Sequence, residues 1–232
     1  MRRVTDIAAR FVTAVARGSV GRTVLALGDR PSQAVLLYDA EGSPYCRPVR
    51  EALTMLDLDA EVRPCPIGGA RYQALLRAES GDEAVPYLVD PNTGTRHAEA
   101  SQILHHLFRH YGQAEAPHSL LGAASRLTSP LASRARAGHG TNARPSRVPA
   151  QPLHLWSFEA CPHCRLVRET LTELELPYRL HSMGKGSPKR PAFLERTGKL
   201  QFPYLEDPNT GVRMFESVDI CAYLERTWGG VG

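Results

Sequence analysis

Two stretches of the chain carry the same order of apolar and polar positions. Each opens with a short apolar run that reads as a strand (Val35–Tyr38; Leu153–Ser157), followed after a turn by apolar residues at helical spacing: Val49, Leu53, Leu56 in one, Val167, Leu171, Leu174 in the other. A second short strand (Ala60–Pro64; Pro177–His181) and a polar, basic helical stretch come next. Pro-Tyr-Leu then opens a third strand that ends in Asp-Pro-Asn-Thr-Gly, a hairpin signal because Asn and Gly tolerate positive φ. An amphipathic helix closes each stretch (Glu99–Tyr111; Glu216–Trp228). The order βαβ then ββα predicts an α/β fold, a small mixed sheet covered by helices.

Direct comparison makes the duplication explicit. Leu37–Leu58 and Leu155–Leu176 lie 118 residues apart and share 12 of 22 residues, and Pro86–Arg96 and Pro203–Arg213 share 9 of 11. The chain therefore divides into a basic arm (1–34), a first unit (35–112), an Arg/Pro/Ser-rich linker arm (113–152) and a second unit (153–232). Units of about 80 residues fall within the size range of domains that fold alone.

Composition changes this picture only at the arms. The formal net charge is +4, yet each arm alone carries +4, so the two units together carry −4. The surplus describes linkers rather than a nucleic-acid surface, and the arms lack the interleaved aromatics that would grip single strands. No apolar run approaches the roughly 18 residues of a membrane-spanning helix, and no secretory signal opens the chain. A cytoplasmic protein is expected. The amphipathic face of Arg2–Arg17 leaves an organelle-targeting or membrane-surface segment as the alternative, but Ser119–Ser133 repeats that pattern in mid-chain, which favours arms packed on their own units.

The sharpest chemical signal is Cys161-Pro162-His163-Cys164 at a strand-to-helix turn. Unpaired N–H groups and the positive end of the helix dipole favour thiolate at the first cysteine. A second cysteine one turn on can resolve a mixed disulfide. Cys161 is thus the expected nucleophile and Cys164 the resolving thiol, with Arg165 adding positive charge. The competing reading, half of a zinc site, lacks partner ligands in the sequence, and no metal is expected. The first unit carries Ser43-Pro44-Tyr45-Cys46 at the matched place; a serine cannot exchange disulfides, although it can donate a hydrogen bond to the thiolate of a bound small thiol. Cys46 is expected to be partly buried. Cys65 and Cys221 read as packing residues, Cys65 the more exposed.

On these motifs each unit resembles a glutaredoxin or the N-terminal, glutathione-binding domain of a glutathione transferase, both thioredoxin-like. The resemblance implies a cis proline whose preceding residue pairs with glutathione by main chain, and a Glu-Ser pair that holds its γ-glutamyl end. This gives Phe202, Pro203, Glu216 and Ser217, with Arg165 beside them, as glutathione-binding in the second unit. In the first it gives a second candidate site, Ser43, Cys46, Val85, Pro86 and Glu99, where Ala100 replaces the serine and Ser101 comes one place late. The large helical domain of full transferases has no counterpart here, so conjugation of bulky electrophiles is not expected. The expected activity is glutathione-linked thiol–disulfide exchange on protein disulfides or glutathionylated proteins, with glutathione as co-substrate. The alternatives are a non-catalytic glutathione-binding or protein-docking module and a glutathione-ligated iron–sulfur carrier. Oligomeric state cannot be read from the sequence.

Overall fold

The computed structural model describes residues 21–25, 27–121 and 138–230. In the first half β1 (Val35–Asp39) leads to α1 (Cys46–Met55), β2 (Ala60–Pro64), α2 (Gln73–Ser80), β3 (Tyr87–Asp90), β4 (Thr95–His97) and α3 (Ala100–Leu107), which runs on into a wider helical turn, Phe108–Gly112. After the short α4 (His118–Leu121), the second half repeats the order as β5 (Leu153–Ser157), α5 (Pro162–Glu173), β6 (Tyr178–Ser182), α6 (Arg190–Thr197), β7 (Tyr204–Asp207), β8 (Val212–Phe215) and α7 (Ser217–Trp228). The expected βαβ–ββα order holds in both. The Arg2–Arg17 segment and most of Ser119–Ser133 lie outside the described residues.

The two halves do not form separate sheets. Within each, the first strand runs parallel to the second and antiparallel to the third. The second strands, β2 and β6, then pair antiparallel with Glu61 opposite Arg179, giving one eight-stranded sheet, β4-β3-β1-β2-β6-β5-β7-β8. Each half would otherwise leave this strand as an open edge, and pairing satisfies both edges at once. A single apolar cluster covers the face that carries α1, α3, α5 and α7, joining Leu37, Leu53 and Leu104 to Leu155, Leu171 and Leu224. Two small clusters sit on the opposite face, Tyr38–Leu76–Tyr87 under α2 and Trp156–Phe193–Tyr204 under α6.

The arms pack across the joint, not only on their own units as the sequence suggests. The described part of the first arm lies first on the second unit, where Val24 N–H donates to Lys185 O at 2.9 Å, and then on the first, where Gly28 N–H donates to Tyr111 O at 2.9 Å. The second arm does the reverse: Ile67 N–H of the first unit donates to Thr141 O (2.7 Å), and Arg147 N–H donates to Trp228 O of the second (2.7 Å). Lys185 and Ile67 are matched positions, so the exchange obeys the same pseudo-two-fold relation as the sheet.

That relation has a charged centre. Arg47, Arg50 and Glu51 of α1 and Arg165, Arg168 and Glu169 of α5 are all buried where the units meet. Arg50 pairs with Asp39 (2.7 Å), with Glu41 of its own unit (3.2 Å) and with Glu159 of the other (3.1 Å). Arg168 pairs with Glu159 (2.7 Å) and across the joint with Glu41 (3.0 Å). Burial pushes Glu41 up, but Arg168, Arg50 and Arg165 outweigh it and hold the carboxyl well below the usual range. At the sheet joint Asp59 accepts hydrogen bonds from Ser182 N–H (2.9 Å) and Lys189 Nζ (2.6 Å).

The aspartate that opens each hairpin also ties down the last helix. Asp90 Oδ2 accepts from Tyr111 OH at 2.6 Å and lies 2.7 Å from His106 Nε2; Asp207 Oδ2 accepts from Tyr223 OH at 2.6 Å and Trp228 Nε1 at 2.9 Å. Only the glycines of these turns, Gly94 and Gly211, take positive φ; Asn92 and Asn209 instead donate side-chain bonds to Gln33 O and Gln151 O. Burial raises Asp90, but hydrogen bonds from Tyr111, His106 and Asn92 bring it down to about 2. A depressed carboxyl stabilises the fold above its unfolded value, 3.8, and that contribution fades as pH falls toward 2. Tyr111→Phe is therefore expected to cost roughly 1.5–3 kcal/mol at neutral pH, the range for a hydrogen bond to a charged group. Denaturant titrations of both proteins should find this difference shrinking as pH is lowered from 5 toward 2.

Candidate functional site

The turn between β5 and α5 presents Cys161 as the cap of α5. Its backbone is extended (φ −80°, ψ 117°), Pro162 occupies the first turn, and its sulfur accepts the Cys164 N–H at 3.3 Å. Both cysteines are buried, Cys161 at 7% exposure and Cys164 completely, so the first is the nearer of the two to the surface. The Cys164 thiol, donating a hydrogen bond to Cys161, is the main reason the Cys161 thiol lies below its ordinary value. Burial opposes this; the Cys164 N–H and the Arg168 charge add to it. Cys164 moves the opposite way, well above its ordinary value, through burial and then through its bond to Cys161. The two thiols are thus driven apart, the first toward easier ionisation and the second away from it.

Three further pieces surround the sulfur. The Phe202 carbonyl oxygen lies 3.9 Å from Cys161 Sγ, and the Phe202–Pro203 bond is cis, as is Val85–Pro86. Phe158 and Phe202 meet edge to face at 6.2 Å, and the Arg190 guanidinium lies 5.3 Å over the Phe202 ring. Glu216, exposed at the start of α7, takes φ +69°, accepts a 2.5 Å bond from Gln201 Nε2, and leads into buried Ser217, whose Oγ is 3.4 Å from His163 Nδ1. A non-glycine residue at positive φ is costly and is kept where surrounding structure demands it. Cys161, Cys164, Phe202, Pro203, Glu216 and Ser217 thus come together as the sequence predicts.

Arg165 does not join them. It is 4% exposed and taken into the charged joint, 3.5 Å from both Glu41 and Glu169, which removes it from the glutathione-binding set. Cys65 is also unlike its expectation: it is buried, with its thiol pushed up to about 12 by burial and by Asp39, while Cys221 is the more exposed of the two. Arg168 and Ser157 escape notice in the sequence although they stand directly behind the thiols, Arg168 Nη1 donating to Ser157 Oγ at 3.1 Å.

The first unit keeps the frame without the paired cysteines. Ser43 Oγ accepts the Tyr45 and Cys46 N–H groups (3.3 and 3.4 Å), standing where Cys161 stands in the second unit. Cys46 is fully buried, and burial followed by the Asp39 charge pushes its thiol well above the ordinary value. Glu99 has ordinary extended backbone (φ −108°), Ala100 follows it, and Ser101 turns its hydroxyl to Glu99 Oε2 at 3.4 Å. The turn that Glu216 and Ser217 make in the second unit is therefore not formed here. In its place lies a cavity of about 590 Å³ with an apolar lining that includes Pro48, Val85, Pro86, Leu104 and Leu120.

Among the described residues no group of three or more His, Cys, Asp or Glu converges as a metal site, and no helix is long and apolar enough to cross a membrane. A family model described as glutathione S-transferase, N-terminal domain, matches residues 37–115 and again residues 155–231. No curated protein and no solved structure matches the chain.

Proposed function

Since the chain belongs to the glutathione S-transferase N-terminal-domain family, with one copy in each half, we propose that the second copy is a glutathione-linked thiol–disulfide oxidoreductase and the first its scaffold. The observation that carries this is the lowered Cys161 thiol at the start of α5, beside the Phe202-Pro203 segment and the Glu216-Ser217 turn, a set the first unit lacks. Glutathione would lie extended along Phe202, its cysteinyl main chain pairing with that residue. Its γ-glutamyl carboxylate would meet the Ser217 hydroxyl and the N–H groups at the start of α7.

In the first step the Cys161 thiolate attacks the glutathione sulfur of a mixed disulfide; a Cys161–glutathione disulfide forms and the partner leaves as a thiolate that takes a proton. Either a second glutathione thiolate attacks that glutathione sulfur, giving oxidised glutathione and free Cys161, or Cys164 attacks Cys161 Sγ, glutathione departs as a thiolate that takes a proton, and the Cys161–Cys164 disulfide so formed is reduced by two glutathiones, which leave as oxidised glutathione. Once Cys161 is bonded its negative charge is gone, and with it part of what holds the Cys164 proton. The reducing electrons come from glutathione in both routes.

The reading is tested with the mixed disulfide of glutathione and hydroxyethanethiol, following oxidised glutathione with a coupled reductase. Turnover that saturates in glutathione is expected. Rates no higher than the uncatalysed exchange would refute the reading.

A further inference from the structure

The two copies share a charged centre and differ at one place in it. Asp39 ends β1 and Ser157 ends β5, at matched positions. Behind the first unit's helix start, Arg50 Nη1 donates to both Asp39 oxygens (2.7 and 3.0 Å). Behind the second, Arg168 Nη1 finds the neutral Ser157 hydroxyl at 3.1 Å, and the same guanidinium reaches Phe158 O (3.3 Å) and Glu159 O (3.4 Å), pinning the turn that carries Cys161. Ala160 N–H, next to Cys161, donates to Gly21 O of the first arm at 3.2 Å, so this turn is held from the far side as well.

We propose that Ser157 and Arg168 are positioning residues for the Cys161 thiolate: by placing a hydroxyl where the first copy has a carboxylate, the second copy leaves a buried cation behind its thiols, held in place across the joint by Glu41. The proposal rests on the reading of Cys161 as the nucleophile, and it explains why chemistry resides in one copy. The two copies bracket the effect. Arg50 lowers Cys46 as Arg168 lowers Cys161 and Cys164, but in the first copy Asp39 opposes it and raises both Cys46 and Cys65. Cys164, the His163 N–H and Arg168, all from α5, act on the Cys161 thiol; Arg168 is itself paired with Glu159 and with Glu41 of the first unit, which also meets Arg50, while Glu216 at the start of α7 takes a bond from Gln201 and Arg190 of α6 lies over the Phe202 ring.

The test is the pH dependence of iodoacetamide alkylation of Cys161 in the reduced full chain, read by peptide mapping. Ser157→Asp should move the apparent thiol pKa up by about one unit, which is roughly tenfold slower alkylation near neutral pH. Ser157→Asn, of the same shape without the charge, should stay within about threefold of the parent. The Asp39–Arg50 pair is a built precedent for the new carboxylate, so Ser157→Asp is expected to fold. A second comparison guards against misfolding: Arg168→Lys should keep the parent profile within about threefold, while Arg168→Gln shifts it upward. Coincident profiles for the Asp and Asn forms, or for the Lys and Gln forms, overturn the proposal. Alkylation needs no glutathione, so turnover that fails while the profiles shift refutes only the proposed activity, and turnover with unmoved profiles refutes only this inference.

Discussion

Cys161→Ser is expected to lower glutathione-dependent disulfide reduction by at least about a thousandfold, to the uncatalysed background, because a serine hydroxyl offers no anion near neutral pH and no disulfide-forming sulfur. Cys164→Ser should behave differently. The glutathione route needs only Cys161 Sγ, so reduction of a small glutathione mixed disulfide should survive within roughly tenfold, the deficit arising because the Cys164 thiol no longer lowers Cys161. Reduction of a protein disulfide through Cys164 should be lost. Cys46→Ser tests the other half: its thiol is fully buried and raised well above the ordinary value, so turnover should be unchanged. Equal losses for Cys161→Ser and Cys164→Ser would mean an obligatory dithiol cycle in place of the glutathione route.

The second large effect is on stability. Arg168→Met is expected to cost about 3–5 kcal/mol, because it leaves Glu41 and Glu159 buried with three of the joint's four arginines. For a chain of this size that corresponds to a fall in melting temperature of roughly 6–20 °C. Arg77→Met supplies the contrast: Arg77 and Glu83 form an ion pair with side chains 66% and 41% exposed, and its loss should cost under about 1 kcal/mol. Thermal melts of the two variants under one buffer separate the cases. Similar small shifts for both would show that the charged joint does not hold the halves together.

The repeat, the element order and the placing of two cysteines at a helix start are legible in the sequence because each rests on local signals: apolar spacing, a proline-opened strand, Asp-Pro-Asn-Thr-Gly, and two cysteines one helical turn apart. The joint is not local. Arg47, Arg50, Glu51 and their counterparts have the polarity of a solvent-facing helix stripe, and period alone assigns them outward. The clue lay in the duplication itself, since Glu41, Arg47, Arg50 and Glu51 recur as Glu159, Arg165, Arg168 and Glu169, whereas exposed faces have no reason to keep their charges in step. Arg165 was placed at the ligand by its nearness to Cys164 in sequence, but one helical turn beyond Cys161 is already inside the joint. The positive φ of Glu216 had no signal either, for no glycine or asparagine marks it, and the same glutamate in the first unit is extended. The crossing of the arms follows from the antiparallel β2–β6 pairing, which no single unit can reveal.

The central claim, that glutathione chemistry belongs to the second copy and to Cys161 alone, is met most directly by incubating the reduced Cys164→Ser chain with oxidised glutathione and mapping the adducts by peptide mass. The account predicts one glutathione per chain, on the peptide containing Cys161, with Cys46, Cys65 and Cys221 unmodified at the same time point. Adducts spread over the cysteines in proportion to their exposure, or a first adduct on any thiol other than Cys161, would contradict it.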